Sequence, residues 1–313
     1  METKDELIDV SVLMTTYGHE DFILEAIVGV LNQKFNGNIE LTISNDSSPD
    51  QTHELIEDFM KSIDLPTNIK IRYVKQEKNL GAINNFLWLI DQAKGEFIAI
   101  CEGDDFWSNP YKLDHQVDFL RNNEEYSIVF SNVQVLIESG KFNQENELKP
   151  VCESREYKGE EILADWIAHT STFLIRNSKK MSDFSLFFKK HNFMYGDTPL
   201  FLYALSFGKG YGMKEYTSTY RRHQGGLTNQ TQNNHFFLKF IDHLKAIKNA
   251  YDKRAYNSAL DKSIKGFYMR LYFNSRYSDL KKYFYLTKAL KYDKLLFFNI
   301  IKEKLKRKNI LFK

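Results

Sequence analysis

Cysteine, proline and long apolar runs are all scarce in this chain, and each scarcity closes off a class of protein. Cys101 and Cys152 are the two cysteines in 313 residues and share no CxxC spacing, so neither a zinc site nor a disulfide framework is encoded. Both should be free thiols. No stretch approaches about 18 uninterrupted apolar residues, which argues against a membrane-crossing helix. The start, METKDELIDVSVLM, carries acids ahead of a short apolar segment and lacks the basic-then-apolar layout of a secretory signal, so the expected compartment is the cytoplasm. Low-complexity linkers and internal repeats are missing too. Net charge is nearly absent, with 43 Lys and Arg against 41 Asp and Glu.

That balance hides an asymmetry. Residues 235–313 hold 20 basic and 6 acidic side chains, net +14, which leaves net −12 in the residues before them. With 42% hydrophobic and 15% aromatic content, the chain can bury one large core plus an appendage. The expected division is a domain over 1–234 and a basic, aromatic, helical region over 235–313.

Periodicity fills in the first part. Residues 9–17, DVSVLMTTY, read as a buried strand, and residues 19–33 have the apolar spacing of a helix. The pattern repeats with strand IELTISN and helix THELIEDFMKSI, strand IKIRYVKQ and helix GAINNFLWLIDQAKG, then strand EFIAICEG. Further on come a helix at DHQVDFLRNN and strands over 126–137 and at TSTFLIRNS. A short helix is expected over 196–208, then a strand from 218 leaving into a glycine-containing loop. Strands alternating with helices imply an α/β fold with a mostly parallel sheet flanked by helices.

Ligands of such sheets bind at the carboxyl ends of the strands. Four polar clusters fall there: Thr15-Thr16-Tyr17, Asn45-Asp46-Ser47-Ser48, residues 77–81, and Glu102 to Asp105. Acids spaced as Glu102-x-Asp104-Asp105 suit a hard divalent cation, with a neighbouring carboxylate free to accept a ribose hydroxyl. The competing reading is that Asp104 and Asp105 cap the next helix or solvate a turn. Asp197, followed by Thr198 and Pro199, has its own alternative as a helix N-cap. His223, beside Arg221 and Arg222, reads first as an exposed loop residue. Trp88, Trp107 and Trp166 read first as packing residues.

The segments VSVLMTTYGHEDFILEAIVGVLNQ, LTISNDSSPDQT, KNLGAINNF, AKGEFIAICEGDDFWSNPYKLDHQVDFL, YGDTPLF and STYRRHQGGLT, in that order over residues 9–230, resemble the ordered motifs of family 2 glycosyltransferases. The resemblance implies a GT-A, Rossmann-like fold with a helical C-terminal appendage. It also implies inverting transfer of a sugar from a nucleoside-diphosphate donor, with Mn²⁺ or Mg²⁺ as cofactor. Within the family, CEGDDFW is similar to bacterial enzymes of surface polysaccharide synthesis such as capsule or lipopolysaccharide, whose acceptors are glycans or lipid-linked saccharides. Carried over by position, Thr15, Tyr17 and Asp46 match residues that hold base and ribose, pointing to UDP. Glu102 and Asp104 match donor-binding acids, Asp104 and Asp105 match metal-contacting positions, His223 lies where related enzymes place a metal- or diphosphate-contacting residue, and Asp197 matches the catalytic base. Two positions depart from the family pattern: Glu102 replaces the usual first Asp of DxDD, and Asn45 replaces the first of an acidic pair.

Three other readings compete. A nucleotidyltransferase would show a glycine-rich, basic phosphate loop, whereas TTYGHED has one glycine and no Lys or Arg. A catalytically degenerate scaffold in a polysaccharide assembly complex would have no need to keep Asp46, Asp104, Asp105 and Asp197 together. Nucleic-acid binding by the basic tail is disfavoured, and the expected partners are a nucleotide-sugar and a saccharide acceptor. Residues 280–313 combine eleven Lys and Arg with two acids among Tyr, Phe, Leu and Ile, a pattern suited to lying on an anionic membrane or packing on the acidic domain.

Overall fold

The computed structural model describes residues 7–137, 148–226, 233–276 and 279–293. Two compact units emerge, the first from residues 1–190 and 195–229, the second from 191–194 and 230–313.

The first unit is organised by β1 (Val10–Thr16), a strand buried along almost its whole length, as its near-continuous apolar run requires. It pairs in parallel with β2 (Ile39–Asn45) on one side and β4 (Phe97–Ile100) on the other, and β3 (Ile69–Lys75) lies outside β2. The connecting helices are α1 (Ile23–Leu31), α2 (Thr52–Ser62) and α3 (Ala82–Gln92). The order β3-β2-β1-β4 reverses direction at β1, and such a switch point opens a crevice at the strands' carboxyl ends.

Past β4 the sheet is mixed. β8 (Leu174–Arg176) runs antiparallel to both β4 and β6 (Tyr126–Ile137), and β9 (Lys209–Arg222) runs parallel to β6. β5 (Phe106–Trp107) and β7 (Arg155–Tyr157) each pair antiparallel with β9. The core draws on Val12, Met14, Ile27, Leu41, Ile43, Phe97, Ala99, Trp107, Leu113 and Val117. Trp88 is half-buried under the Arg72 guanidinium, 5.9 Å from its centre, and so is not the core residue its sequence context suggests.

α1 begins four residues later than its periodicity predicts. The amides of His19 and Glu20 are taken by Thr52 Oγ1 (3.0 Å), at the start of α2, and by Asp50 Oδ2 (3.0 Å), in the loop before it, which holds residues 19–22 as a turn. Gly95, expected to end α3, instead lets two strands meet: a Cβ there would lie 2.5 Å from the Ser11 backbone nitrogen.

α4 (Lys112–Asn122) leads into β6, and a 3-10 turn (Thr170–Thr172) leads into β8, where a longer strand was expected. α5 (Gly159–Ala164) and α6 (Phe184–His191) precede α7 (Asp197–Ala204).

The second unit contains α8 (Asn234–Ala250), α9 (Arg254–Asn274) and α10 (Leu280–Leu290), with α9 packing on both others. Apolar positions three and four apart, among them Phe237, Ile241, Leu244 and Leu260, Ile264, Leu271, are buried. No helix among the described residues is long and apolar enough to cross a membrane. Residues 294–313, the C-terminal part of the basic aromatic tail, lie outside the described residues.

Candidate active site

The segment Cys101 to Asp105 turns sharply off β4 and is pinned to the end of β1. Cys101 N donates to Leu13 O (3.1 Å) and Gly103 N to Thr15 O (2.8 Å). Gly103 permits the approach, since a Cβ there would lie 2.9 Å from Thr16 Oγ1 and 3.0 Å from His19 Nδ1.

The four acids of the crevice occupy four environments. Asp104 Oδ2 lies 3.2 Å from His223 Nε2 and 3.7 Å from His19 Nε2. Burial opposes ionisation of Asp104, but the His223 hydrogen bond and the nearby imidazoles outweigh it and hold its carboxyl below the usual range. Asp105 is 2% exposed; its Oδ1 accepts the Arg221 amide hydrogen (3.0 Å) and its Oδ2 lies 3.8 Å from His169 Nδ1. Desolvation, then the charges of Asp104 and Glu102, push its carboxyl well above the usual range.

Glu102 has one buried oxygen, Oε2, without a hydrogen-bond partner in the protein, while Thr170 supports the side chain. Burial, followed by repulsion from Asp104 and Asp197, raises its pKa to about 7. Asp197 opens α7, and its Oδ1 accepts the Thr198 amide hydrogen (2.7 Å). Gly196 occupies the cap position, so Asp197 is not the N-cap, and burial raises its pKa. Glu102 lies near enough to both Asp104 and Asp197 for their charges to act on its carboxyl.

His223 is 7% exposed, its ring against Phe22 at a 4.7 Å centroid separation, which removes the exposed-loop reading. Among the described residues, His19, Asp104 and His223 form the one group of His, Cys, Asp or Glu donors, all within 4.8 Å of one another, that could hold a metal ion. A carboxylate oxygen and two imidazole nitrogens are a chemically competent set for a divalent cation.

A model of the family described as "Glycosyl transferase family 2" matches residues 11–184. The chain belongs to this family. An uncharacterized protein of Mycobacterium bovis is 28% identical over 217 residues, covering 69% of this chain and 60% of that one, so the chain spans about 60% of that relative's length. Among solved structures, S. aureus TarS 1-349 in complex with UDP-GlcNAc superposes with a TM-score of 0.60 at 17% identity, over 90% of this chain and 80% of that one. The mannosyltransferase PcManGT from Pyrobaculum calidifontis, in complex with GDP-Man and Mn2+, gives 0.52 at 13% identity, over 93% and 83%. These likenesses fix the fold as GT-A.

The remaining residues singled out by sequence lie at the ends of β1 and β2. Thr15 lies at the end of β1 and Tyr17 just past it, exposed. Asp46 is 2% exposed and accepts the amide hydrogens of Leu80 (2.6 Å) and Gly81 (3.0 Å), shaping the loop that enters α3. Asn45, where the resemblance leads one to expect an acid, works as scaffold: its Oδ1 accepts the Ser48 amide hydrogen (2.8 Å) and its Nδ2 donates to Tyr73 Oη (3.0 Å).

Sequence reasoning missed His19, Arg221 and His169. Arg221 donates to Asp104 O (2.9 Å), pairs with Glu25 and stacks over Phe106 at 4.6 Å. His169 is half-buried, and desolvation pulls its pKa down to about 4. The one available signal was His19's place in the loop after β1, at the same strand ends as the acids. Trp107, read as packing, is buried and donates from Nε1 to Ser171 O (2.9 Å).

Proposed function

We propose that this chain is an inverting glycosyltransferase that moves a hexose or N-acetylhexosamine from a UDP-sugar to a hydroxyl of a glycan or lipid-linked saccharide in bacterial surface polysaccharide synthesis. The observation that carries the proposal is the cluster of Asp104, His19 and His223 at the switch-point crevice, linked through Glu102 to Asp197. The complex of TarS with UDP-GlcNAc supports the UDP assignment.

In this reading Asp197 is the general base. An acceptor hydroxyl loses its proton only as its oxygen bonds to the anomeric carbon, and a base whose pKa is raised toward neutrality accepts that proton more readily; a positioned base contributes about 10²–10⁴-fold. The α7 N-terminus favours its ionised form. One base and a single displacement invert the anomeric centre. The unmatched Glu102 Oε2 accepts a hydroxyl of the donor, and Thr15, Tyr17 and Asp46 bound the nucleoside pocket.

Asp104 and His223 would hold the cation in the crevice, with Asp105 fixing the loop behind them through the Arg221 amide, and Mn²⁺ bound to PcManGT supports a metal-dependent donor site. When bound, that cation neutralises the charge growing on the departing diphosphate. The first unit is the catalytic domain, and the basic second unit makes peripheral contact with anionic membrane at the inner face.

Asp197→Asn tests the base. The amide preserves shape and the acceptor for Thr198 N, so UDP-sugar binding should persist while transfer, measured as UDP release with acceptor, falls by about 10²–10⁴. Transfer within a factor of a few of wild type would remove Asp197 from the chemistry.

A further inference from the structure

We infer that His19 is a third protein ligand of the cation, so that this protein takes up a divalent transition ion before any nucleotide arrives and discriminates against Mg²⁺. The inference rests on the reading that Asp104 and His223 hold a cation.

The donor atoms already stand at metal-site spacing. Metal–ligand bonds of about 2.0–2.2 Å to nitrogen and oxygen place neighbouring donors roughly 3.0–3.6 Å apart. The separation of Asp104 Oδ2 from His223 Nε2, 3.2 Å, falls at that spacing, and that from His19 Nε2, 3.7 Å, lies just beyond it. The two rings meet edge to face, 6.1 Å apart at 86°, so their nitrogens converge on one carboxylate oxygen.

His19 is also held for the task. Its Nδ1 lies 3.2 Å from Thr16 Oγ1, and its own amide donates to Thr52 Oγ1. An Nδ1 proton donated to that hydroxyl leaves the Nε2 lone pair facing Asp104, the outer-shell arrangement by which proteins set the tautomer and direction of a ligating imidazole. The absence of a side chain at Gly103 keeps this contact open.

The donor set decides the ion. Mg²⁺ prefers oxygen ligands, keeps several waters and is held by one or two carboxylates together with substrate phosphates, so a Mg²⁺ site of this kind forms only once a diphosphate is present. Two imidazoles and one carboxylate favour first-row transition ions over Mg²⁺. Three ligands from the protein, drawn from three loops, make a site that needs no phosphate to retain its ion.

The test uses full-length, EDTA-stripped protein titrated with Mn²⁺ in the absence of nucleotide, free ion being followed by its electron paramagnetic resonance signal. One ion per chain should bind, and a tenfold excess of Mg²⁺ should not displace it. His19→Ala should weaken nucleotide-free Mn²⁺ binding by at least about tenfold, the effect reached by losing even an outer-shell partner. The same variant should change the visible absorption of the Co²⁺-loaded protein, a signature of lost imidazole coordination. If circular dichroism shows that His19→Ala does not fold, His19→Gln serves in its place. A wild-type protein that binds Mn²⁺ only after UDP is added, or a folded His19 variant that binds as tightly as wild type, overturns the inference while leaving the transferase reading intact. Failure to bind Mn²⁺ with or without UDP overturns both.

Discussion

Asp104 and Asp105 are neighbours in the chain and opposites in electrostatics. One faces two imidazoles, which hold its carboxyl below the usual range; the other turns its oxygens to the Arg221 amide and His169, and desolvation beside two acids pushes its carboxyl well above that range. Asp105→Asn should therefore leave Mn²⁺ affinity within a few-fold of wild type, whereas Asp104→Asn should lower it by about tenfold or more, both read by the same titration. His243 makes a second residue-level prediction. Its Nδ1 accepts the Met194 amide hydrogen (3.1 Å), and burial pulls its pKa to about 4. Between pH 6.5 and 4 the unfolded chain binds a proton at this ring that the folded chain refuses. Stability is thus full above pH 6.5 and drops as pH falls, by about 2 kcal/mol at pH 5. Urea unfolding followed by circular dichroism should show that loss, and His243→Gln should flatten it. The acids of the crevice were legible because they fall at strand ends of an α/β pattern in the order of the motifs that the chain resembles, which outweighs their alternative uses as caps. His19 was not, because only the folded loop brings it to Asp104, and neither was the inward turn of Asp105.

Single elements explain where the pattern could and could not be read. β1 to β4 and α2 to α4 carry strong periods and sit close to where those periods place them. β9 begins nine residues before its expected start, since GYGMKE offers glycines and charges in place of alternation, and its pairing with β6 and β7 supplies the order that propensity does not. The segment that becomes α6, FSLFFKKH, is too short for its period to be read. α8 carries a testable start: Asn233 Oδ1 accepts the Phe236 amide hydrogen at 2.9 Å. Asn233→Ala should cost about 1 kcal/mol, measured by urea unfolding, and Asn233→Ser should recover most of it.

On the scale of the molecule, the charge asymmetry meets an apolar face. α10 buries Tyr285 and Ala289 and leaves Leu280 (84% exposed), Tyr283 and Phe284 outward, beside Lys281. An apolar strip edged by lysines suits the headgroup boundary of an anionic bilayer, where each basic residue near the surface contributes about 1 kcal/mol. The protein should co-sediment with anionic but not neutral vesicles, release at high salt, and lose binding on Leu280→Ser with Phe284→Ser. A protein that stays in the supernatant at low salt has no such contact. The cysteine scarcity has a practical consequence for all of these experiments. Cys101 is buried with its thiol pushed well above the usual range, whereas Cys152 is exposed, so a maleimide should modify one site per native chain. A nitroxide attached there, paired with a paramagnetic ion bound at Asp104, would turn the distance between loop and crevice into a spectroscopic ruler without engineering a single residue.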